Sequence, residues 1–401
     1  MRVALAAVAT LALLAPQAGS AQGKTTVGFW AGEAVPGTNW GRPNTYWNRR
    51  DTRPYTPYLW RVLSENHIPL YLNLRYKRDF GPVPPGEPRR HDGLAILRKA
   101  NRLGVPVWGW TLIPFTDGYW ASESAATEQF AAVRSLARWA RAKRVRLKGI
   151  AIDPEPPVGT PPEVSAALLG GDGEAALPAL LQQPANPAGQ CAAWRTYERM
   201  ARWAKRHRID LSAAPLPTVL DDLEDGRLAL QDASEFVLPN APWHALFFQA
   251  YRSTFTYHAG IDPGPGIVAS YLHSGRRWFG RAGQVSLGSA GRGPYRRFRN
   301  LVHDVRLAAT LHTREVPIYS LERTLRSYGG PRALIRLVQA ARHPFKGTLA
   351  SAATAPTPEA SAIRATISAN DAALAAATPS ITESAGVGAQ EANSWPEGCV
   401  G

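Results

Sequence analysis

Cysteine and methionine are nearly missing from this chain, with two of each among 401 residues. So few thiols leave room for one disulfide at most, between Cys191 and Cys399. Such a bond would tie the last residues to mid-chain; two unrelated thiols are the other reading, and the sequence does not choose between them. Cys191 sits at a helix start with no nearby histidine, which argues against a nucleophile. The nine histidines form no H-x-x-x-H or H-E-x-x-H pair, so neither a metal nor another cofactor is expected. A G-x-S-x-G elbow, a Walker loop and a glycine-rich phosphate turn after the first strand are all absent. Beyond the N-terminus no apolar run is long enough to cross a bilayer, and no membrane anchor is expected. Acid is the scarce charge: 31 Asp and Glu stand against 46 Lys and Arg, a net charge of +15.

What is present begins with an address. Residues 1–21 open Met1-Arg2, continue through the apolar run Val3 to Ala15 and end Ala18-Gly19-Ser20-Ala21. This is the pattern of a secretory signal peptide cut near Ala21, so a secreted or periplasmic protein is expected. The apolar fraction, 45%, is ample for a core. The basic balance favours anionic partners such as acidic polysaccharide, cell wall or nucleic acid, although no nucleic-acid module is recognisable. Many of the arginines fall in helical stretches, where a solvated outer face accounts for them.

Residues 22–346 read as eight strand-then-helix units. The strands are expected at Thr25–Glu33, Ile68–Tyr76, Val105–Pro114, Arg146–Pro157, Ile209–Leu216, Trp243–Tyr251, Gln284–Ser289 and Val316–Glu322. The helices are expected at Pro57–Asn66, Asp92–Leu103, Ser122–Lys143, Gln190–Arg206, Val219–Phe236 in part, Gly266–Phe279, Arg296–His312 and Gly330–His343. Eight such units close a (β/α)8 TIM barrel, with an open doubly wound sheet as the alternative. A Pro, Gly and Ala-rich insertion spans 156–189, too long for a plain connection, and reads as a functional lid or a disordered segment. From 347 to 401 the composition shifts to Ala, Thr, Ser and Pro, a low-complexity tail with parts helical.

The chain is organised around Arg146–Pro157, RLKGIAIDPEPP. Alternation puts Ala151, Asp153 and Glu155 on one face and Ile150 and Ile152 on the other, with the two carboxylates about 7 Å apart along the strand. Like charges that close, if buried, raise at least one pKa, which is what a general acid near neutral pH requires. A capped strand end in solvent is the plain alternative. Chemistry in barrels of this type sits at the C-terminal ends of the strands. There the sequence offers Trp30 and Glu33, Asn73 and Arg75, Trp110, Gln249 and Tyr251, Ser289, and Tyr319 and Glu322, with Trp40, Trp47 and Trp120 in the mouth loops. Flat apolar rings beside hydrogen-bonding side chains suit sugar rings. Trp139 and Trp203, inside helices, are expected to pack. Were two separate carboxylates used, Glu322 or Glu33 would be the partner of Glu155, and their spacing would forecast stereochemistry.

These residues resemble the chitinase-like family 18 glycoside hydrolases, whose fourth strand ends in Asp residues and a Glu acid, with a Tyr on the sixth strand and an aromatic residue on the eighth. The resemblance implies Glu155 as the acid that protonates the glycosidic oxygen and Asp153 as the group steering the substrate's 2-acetamido attack. It implies Tyr251 as a hydrogen-bond partner of that group and Tyr319 as sugar floor. Lys148 and Ala151 replace the family's other strand-four acids, Arg252 follows Tyr251 where Asp is usual, and Tyr319 stands where Trp is usual. The expected function is an exported glycoside hydrolase acting on a carbohydrate polymer, neutral or acidic. The alternative is a non-catalytic barrel that binds acidic polysaccharide or cell wall.

Overall fold

The structure, a computed structural model, describes residues 24–33, 46–48, 50–87, 89–171, 175–183 and 186–377. The signal-peptide reading, Trp40 and Cys399 fall outside them. Strands β1 (Thr26–Ala31), β2 (Leu70–Arg75), β3 (Val107–Leu112), β4 (Gly149–Ile152), β5 (Leu211–Ala213), β6 (Ala245–Gln249), β7 (Gly283–Gly288) and β8 (Glu315–Tyr319) are all parallel. They form a closed barrel in sequence order, sealed where Thr26 to Trp30 of β1 pair with Glu315 to Tyr319 of β8. The chain folds as a (β/α)8 barrel.

Single helices follow the first three strands: α1 (Pro57–Glu65), α2 (Asp92–Arg102) and α3 (Ala126–Ala142). After β4 come α4 (Pro162–Leu168), α5 (Ala176–Leu181) and α6 (Pro187–Arg206). After β5 come α7 (Val219–Glu224) and α8 (Ala229–Ala233), and after β6 come α9 (Arg252–Ala259) and α10 (Gly266–Phe279). Helix α11 (Phe298–Thr310) follows β7, and α12 (Leu321–Ser327), α13 (Arg332–Arg342), α14 (Thr348–Thr354) and α15 (Pro358–Ala377) follow β8.

Strand alternation divides the core into two regions. Leu70, Leu72 and Leu74 of β2, Ile150 and Ile152 of β4, and Leu246 and Phe248 of β6 face outward into the layer shared with the helices. Tyr71, Ala151 and Phe247, one position out of phase with them, turn into the barrel. Helices answer with their own apolar stripes, Ala132, Val133, Leu136 and Ala140 on α3 and Tyr197, Met200, Ala201 and Ala204 on α6. Trp139 and Trp203 pack as expected, with ring centroids 6.0 Å from Phe80 and 6.0 Å from Phe130.

The barrel interior is plugged by aromatics. Tyr71 stacks on Trp108 at 5.6 Å, meets Phe247 edge-on at 5.5 Å and lies 4.5 Å from Trp30. Rings this large fit only because a neighbouring strand yields: a Cβ on Gly149 would lie 2.1 Å from Trp108 Cζ3. Below the rings, Glu315 accepts from Tyr71 Oη at 2.8 Å and pairs with Lys148 at 3.1 Å. The plug closes the N-terminal end of the barrel and leaves the C-terminal end to carry the cleft.

Beyond shifts of a few residues at element ends, the strand that precedes the acids, the insertion and the tail depart from the sequence reading. Strand β4 stops at Ile152, because Pro154, Pro156 and Pro157 supply no N–H for a ladder. The acids therefore sit just past the strand, not in it. The 156–189 insertion is largely structured, with α4 and α5 packed on each other. The low-complexity tail is helical in part, as expected, but its α15 also buries Ile363, Ile367 and Leu374 against the body. Alanine dominates its composition, but three large apolar residues at helical spacing are enough for docking.

Candidate active site

A cleft of about 420 Å³ opens at the C-terminal end of the strands. Its floor and walls include Trp30, Trp110, Trp120, Asp153, Glu155, Gln249, Tyr251, Tyr319 and Arg323, with Thr160, Ser165 and Leu169 arriving from the insertion.

The acidic pair is built by three backbone choices. Ala214 N–H donates to Ile152 O at 3.0 Å and Ala121 N–H to Asp153 O at 2.9 Å, so the chain leaving β4 is held on both sides. Pro154 then turns it, and Asp153 and Glu155 converge on a single group: Gln249 Nε2 lies 3.1 Å from Asp153 Oδ1 and 2.7 Å from Glu155 Oε1. The same nitrogen donates to Ala214 O at 2.8 Å, which fixes the amide. Asp153 is buried and Glu155 partly so. Burial, then the Glu155 charge, push Asp153 well above the usual carboxylate range; the Gln249 amide works against both. Burial also raises Glu155, to about 7, against hydrogen bonds from Gln249 and Asp153. A carboxyl pair that keeps its protons into the neutral range can donate one.

Two residues beyond Gln249, Tyr251 lies under Gly288, where a Cβ would meet its ring at 3.2 Å. Its hydroxyl is 3.2 Å from Ser286 Oγ, which also accepts from Trp30 Nε1 at 3.0 Å and donates to Pro317 O at 3.0 Å. Since Ser286 spends its proton on Pro317, Tyr251 is the donor between them. Tyr251 and Tyr319 stack at 6.1 Å, and Tyr319 meets Trp110 edge-on at 6.5 Å. The result is an aromatic trough beside two protonatable acids.

Of the residues singled out in the sequence, Trp30, Trp110, Trp120, Asp153, Glu155, Gln249, Tyr251, Ser289 and Tyr319 meet in this cleft. Trp47 does not line it and instead meets Tyr46 edge-on at 5.2 Å, and four strand-end residues also lie outside it. Glu322, expected at the end of the last strand, lies in the first turn of α12 with no exposed surface. It accepts from Gly32 N–H at 2.8 Å and Tyr55 Oη at 3.1 Å and braces the end of β1; burial, then Glu33, raise it to about 7. Glu33 is turned to Ser320 Oγ at 2.6 Å, Arg323 Nε at 2.9 Å and Arg326 Nη2 at 3.2 Å. Asn73 is fully buried and gives its carbonyl to Arg50 at 2.9 Å. Arg75 is buried beside Arg50 and Arg78, donates to the carbonyls of Tyr46 and Asn48, and is pushed down to about 10 by burial and those two cations.

Where the resembled family carries further acids, this chain has found other uses for the positions. Ala151 leaves room for Trp110, its register partner, and Lys148 serves the plug. Arg252 points away from the cleft into a buried ion pair with Asp304 at 2.8 Å and to Asp262 at 2.7 Å. The sequence reading missed Ser286, although the alternation Gln284, Ser286, Gly288 in β7 places it on the inner face. It also missed Arg323, which no local pattern marks. Cys191 is disulfide-bonded rather than a free thiol, while its expected partner Cys399 is outside the described residues. Among the described residues no cluster of His, Cys, Asp and Glu is arranged to hold a metal, and no helix is long and apolar enough to cross a membrane.

Fold and site together define a (β/α)8 barrel with an acid pair and an aromatic trough at the C-terminal end of its strands. No family model matches the chain, and no curated protein matches its sequence. Its fold is similar to that of the catalytic domain of a family GH18 chitinase from the fern Peteris ryukyuensis, at 12% identity and a TM-score of 0.41. The match covers 79% of this chain and 99% of that one. A likeness that distant says nothing of chemistry, which rests on the residues of the cleft.

Proposed function

We propose that this protein is an exported glycoside hydrolase in which Glu155 is the general acid and Asp153 its partner. The observation that carries this reading is the convergence of both carboxyls on Gln249 inside an aromatic cleft. Glu155 gives its proton to the glycosidic oxygen as the bond from that oxygen to the anomeric carbon breaks. An ordinary two-carboxylate mechanism needs a second acid across the sugar, about 5–5.5 Å away for retention or 6.5–9.5 Å for inversion. Among the described residues, the acids that line this cleft are Asp153 and Glu155, two positions apart in the chain, and Glu33 and Glu322 are committed elsewhere.

That arrangement favours a substrate that brings its own nucleophile. A 2-acetamido oxygen attacks the anomeric carbon as the leaving group departs, and water then opens the cyclic intermediate and returns the proton to Glu155. In this reading Asp153 and Tyr251, which both line the cleft, hold the acetamido group. The substrate class is therefore a polymer of N-acetylated sugars.

The test is reducing-end release from neutral, N-acetylated and acidic polysaccharides by the mature protein and by Glu155→Gln. The expected result is cleavage of an N-acetylated polymer that falls by about 10²–10⁴-fold in the variant. The net charge of +15 supports a second reading, a non-catalytic barrel that binds acidic polymer. No cleavage, with equal and salt-sensitive binding by both proteins, would replace the first reading with the second.

A further inference from the structure

One cation of the cleft has no part in the proposed chemistry. Arg323 lines the cleft beside Tyr319, its guanidinium carbon 5.8 Å from the centre of that ring. Glu33 takes its Nε at 2.9 Å, and among the described residues this is the only hydrogen bond the guanidinium makes. A guanidinium held by Nε is oriented, and its two terminal amino groups remain as a planar fork. Such a fork matches the two oxygens of a carboxylate.

The charge around it also leaves a surplus. Glu33 is shared between Arg323 and Arg326, and Asp51, the other anion near Arg326, is already paired with Arg53, so two anions face three cations. Glu322 behind them does not restore the balance, because burial keeps its proton into the neutral range. The acid pair of the cleft holds its protons for the same reason, so below neutral pH it does not repel an anion.

We propose that Arg323 is the specificity-determining residue of this cleft, receiving a carboxylate carried by the glycan whose ring lies on Tyr319. The inference rests on the cleft being a glycan site, and it narrows the substrate to N-acetylated polymers with acidic substituents. A uronic acid and the lactyl ether of a muramic-type sugar are two carbohydrate chemistries that supply such a group beside N-acetylated residues.

The test reads binding without turnover. In Glu155→Gln protein, calorimetry compares three oligosaccharides of equal length: N-acetylglucosamine alone, N-acetylglucosamine alternating with glucuronic acid, and N-acetylglucosamine alternating with N-acetylmuramic acid. At least one acidic ligand is expected to bind about ten-fold or more tighter than the neutral one, as a charged hydrogen-bonded pair provides. Which acidic ligand it is distinguishes the two sources. Adding Arg323→Gln should bring that ratio close to one, and Arg323→Lys should retain part of it. Arg326→Gln, which strips the other cation from Glu33, should leave the ratio in place and so separates recognition from damage to the ion cluster. Equal affinity for neutral and acidic ligands, a ratio that survives Arg323→Gln, or binding of none of the three would overturn the proposal. Failure of the hydrolase reading appears instead as absent cleavage with the binding ratio intact.

Discussion

Gln249 Nε2 carries two protons and has three acceptors around it, Asp153 Oδ1, Glu155 Oε1 and Ala214 O. The surplus acceptor is tolerable only if the carboxyl pair holds a proton of its own, which is the state burial favours. Under the hydrolase reading, this is the proton that general acid chemistry requires. Because the two groups titrate together, the pH at which it is lost belongs to the pair. With Glu155 raised to about 7, kcat/KM should be sustained in mild acid and fall as pH rises through about 7. A profile that rises across that range would show the pair acting as a base instead. Glu155→Gln should abolish the limb together with the rate.

The helix that most changes the picture is α15. It packs against α4, α5, α7, α8 and α10, although its sequence reads as alanine-rich filler. Asn370 Nδ2 donates to Ala167 O at 3.0 Å, and Ile363 fills the space above Gly170. Helix α4 is the element that brings Ser165 to the cleft, with Leu169 just beyond its end, so α15 braces one wall of the site from behind. Ile367 is fully buried. Ile367→Ala should cost about 2–5 kcal/mol in a denaturant titration, the usual cost of a cavity at such a site. A loss under about 0.5 kcal/mol would mark α15 as a surface appendage.

Over the whole molecule, buried acids set the pH dependence of stability. Glu123, Glu155 and Glu322 are raised to about 7 and Asp221 to about 6, while Asp153, Asp222 and Asp371 also lie above their ordinary range, burial being the first cause in each. A raised carboxyl binds its proton more tightly in the native state than in the unfolded chain. Its contribution is complete below the unfolded pKa near 4 and is lost as pH rises through the folded value. Asp51 and Asp92, held low by Arg53 and by Arg50 with Arg78, run the other way and give up their contribution only in acid. His258, kept neutral by burial, also opposes the trend but is one group against several. The thermal midpoint should therefore be higher at pH 5.5 than at pH 8. The reverse order in scanning calorimetry would show that ionised pairs such as Arg252 with Asp304 dominate.

The barrel was legible because strand alternation and helix periodicity are local and each of the eight units repeats them. The inward and outward faces of β2 and β4 follow from residue order alone. So does the placing of Asp153, Glu155, Gln249 and Tyr251 at one rim, since parallel closure brings the strand ends together. What order along the chain does not encode is which strand-end residue turns toward the cleft. Glu33 and Glu322 sit at the right rim but are drawn off, one by arginines from α12 and the other by a backbone N–H and Tyr55, partners hundreds of positions away in sequence. Arg323 was invisible for the same reason, because its use depends on Glu33 across a closure of the barrel between β8 and β1. Residue order alone carried the architecture and the presence of two acids at one strand end, whose causes lie within a few residues; their convergence on Gln249 and their burial are long-range. Only tertiary structure decided which charges pair with each other and which are left for a ligand, because burial and charge neutralisation are properties of the assembled rim.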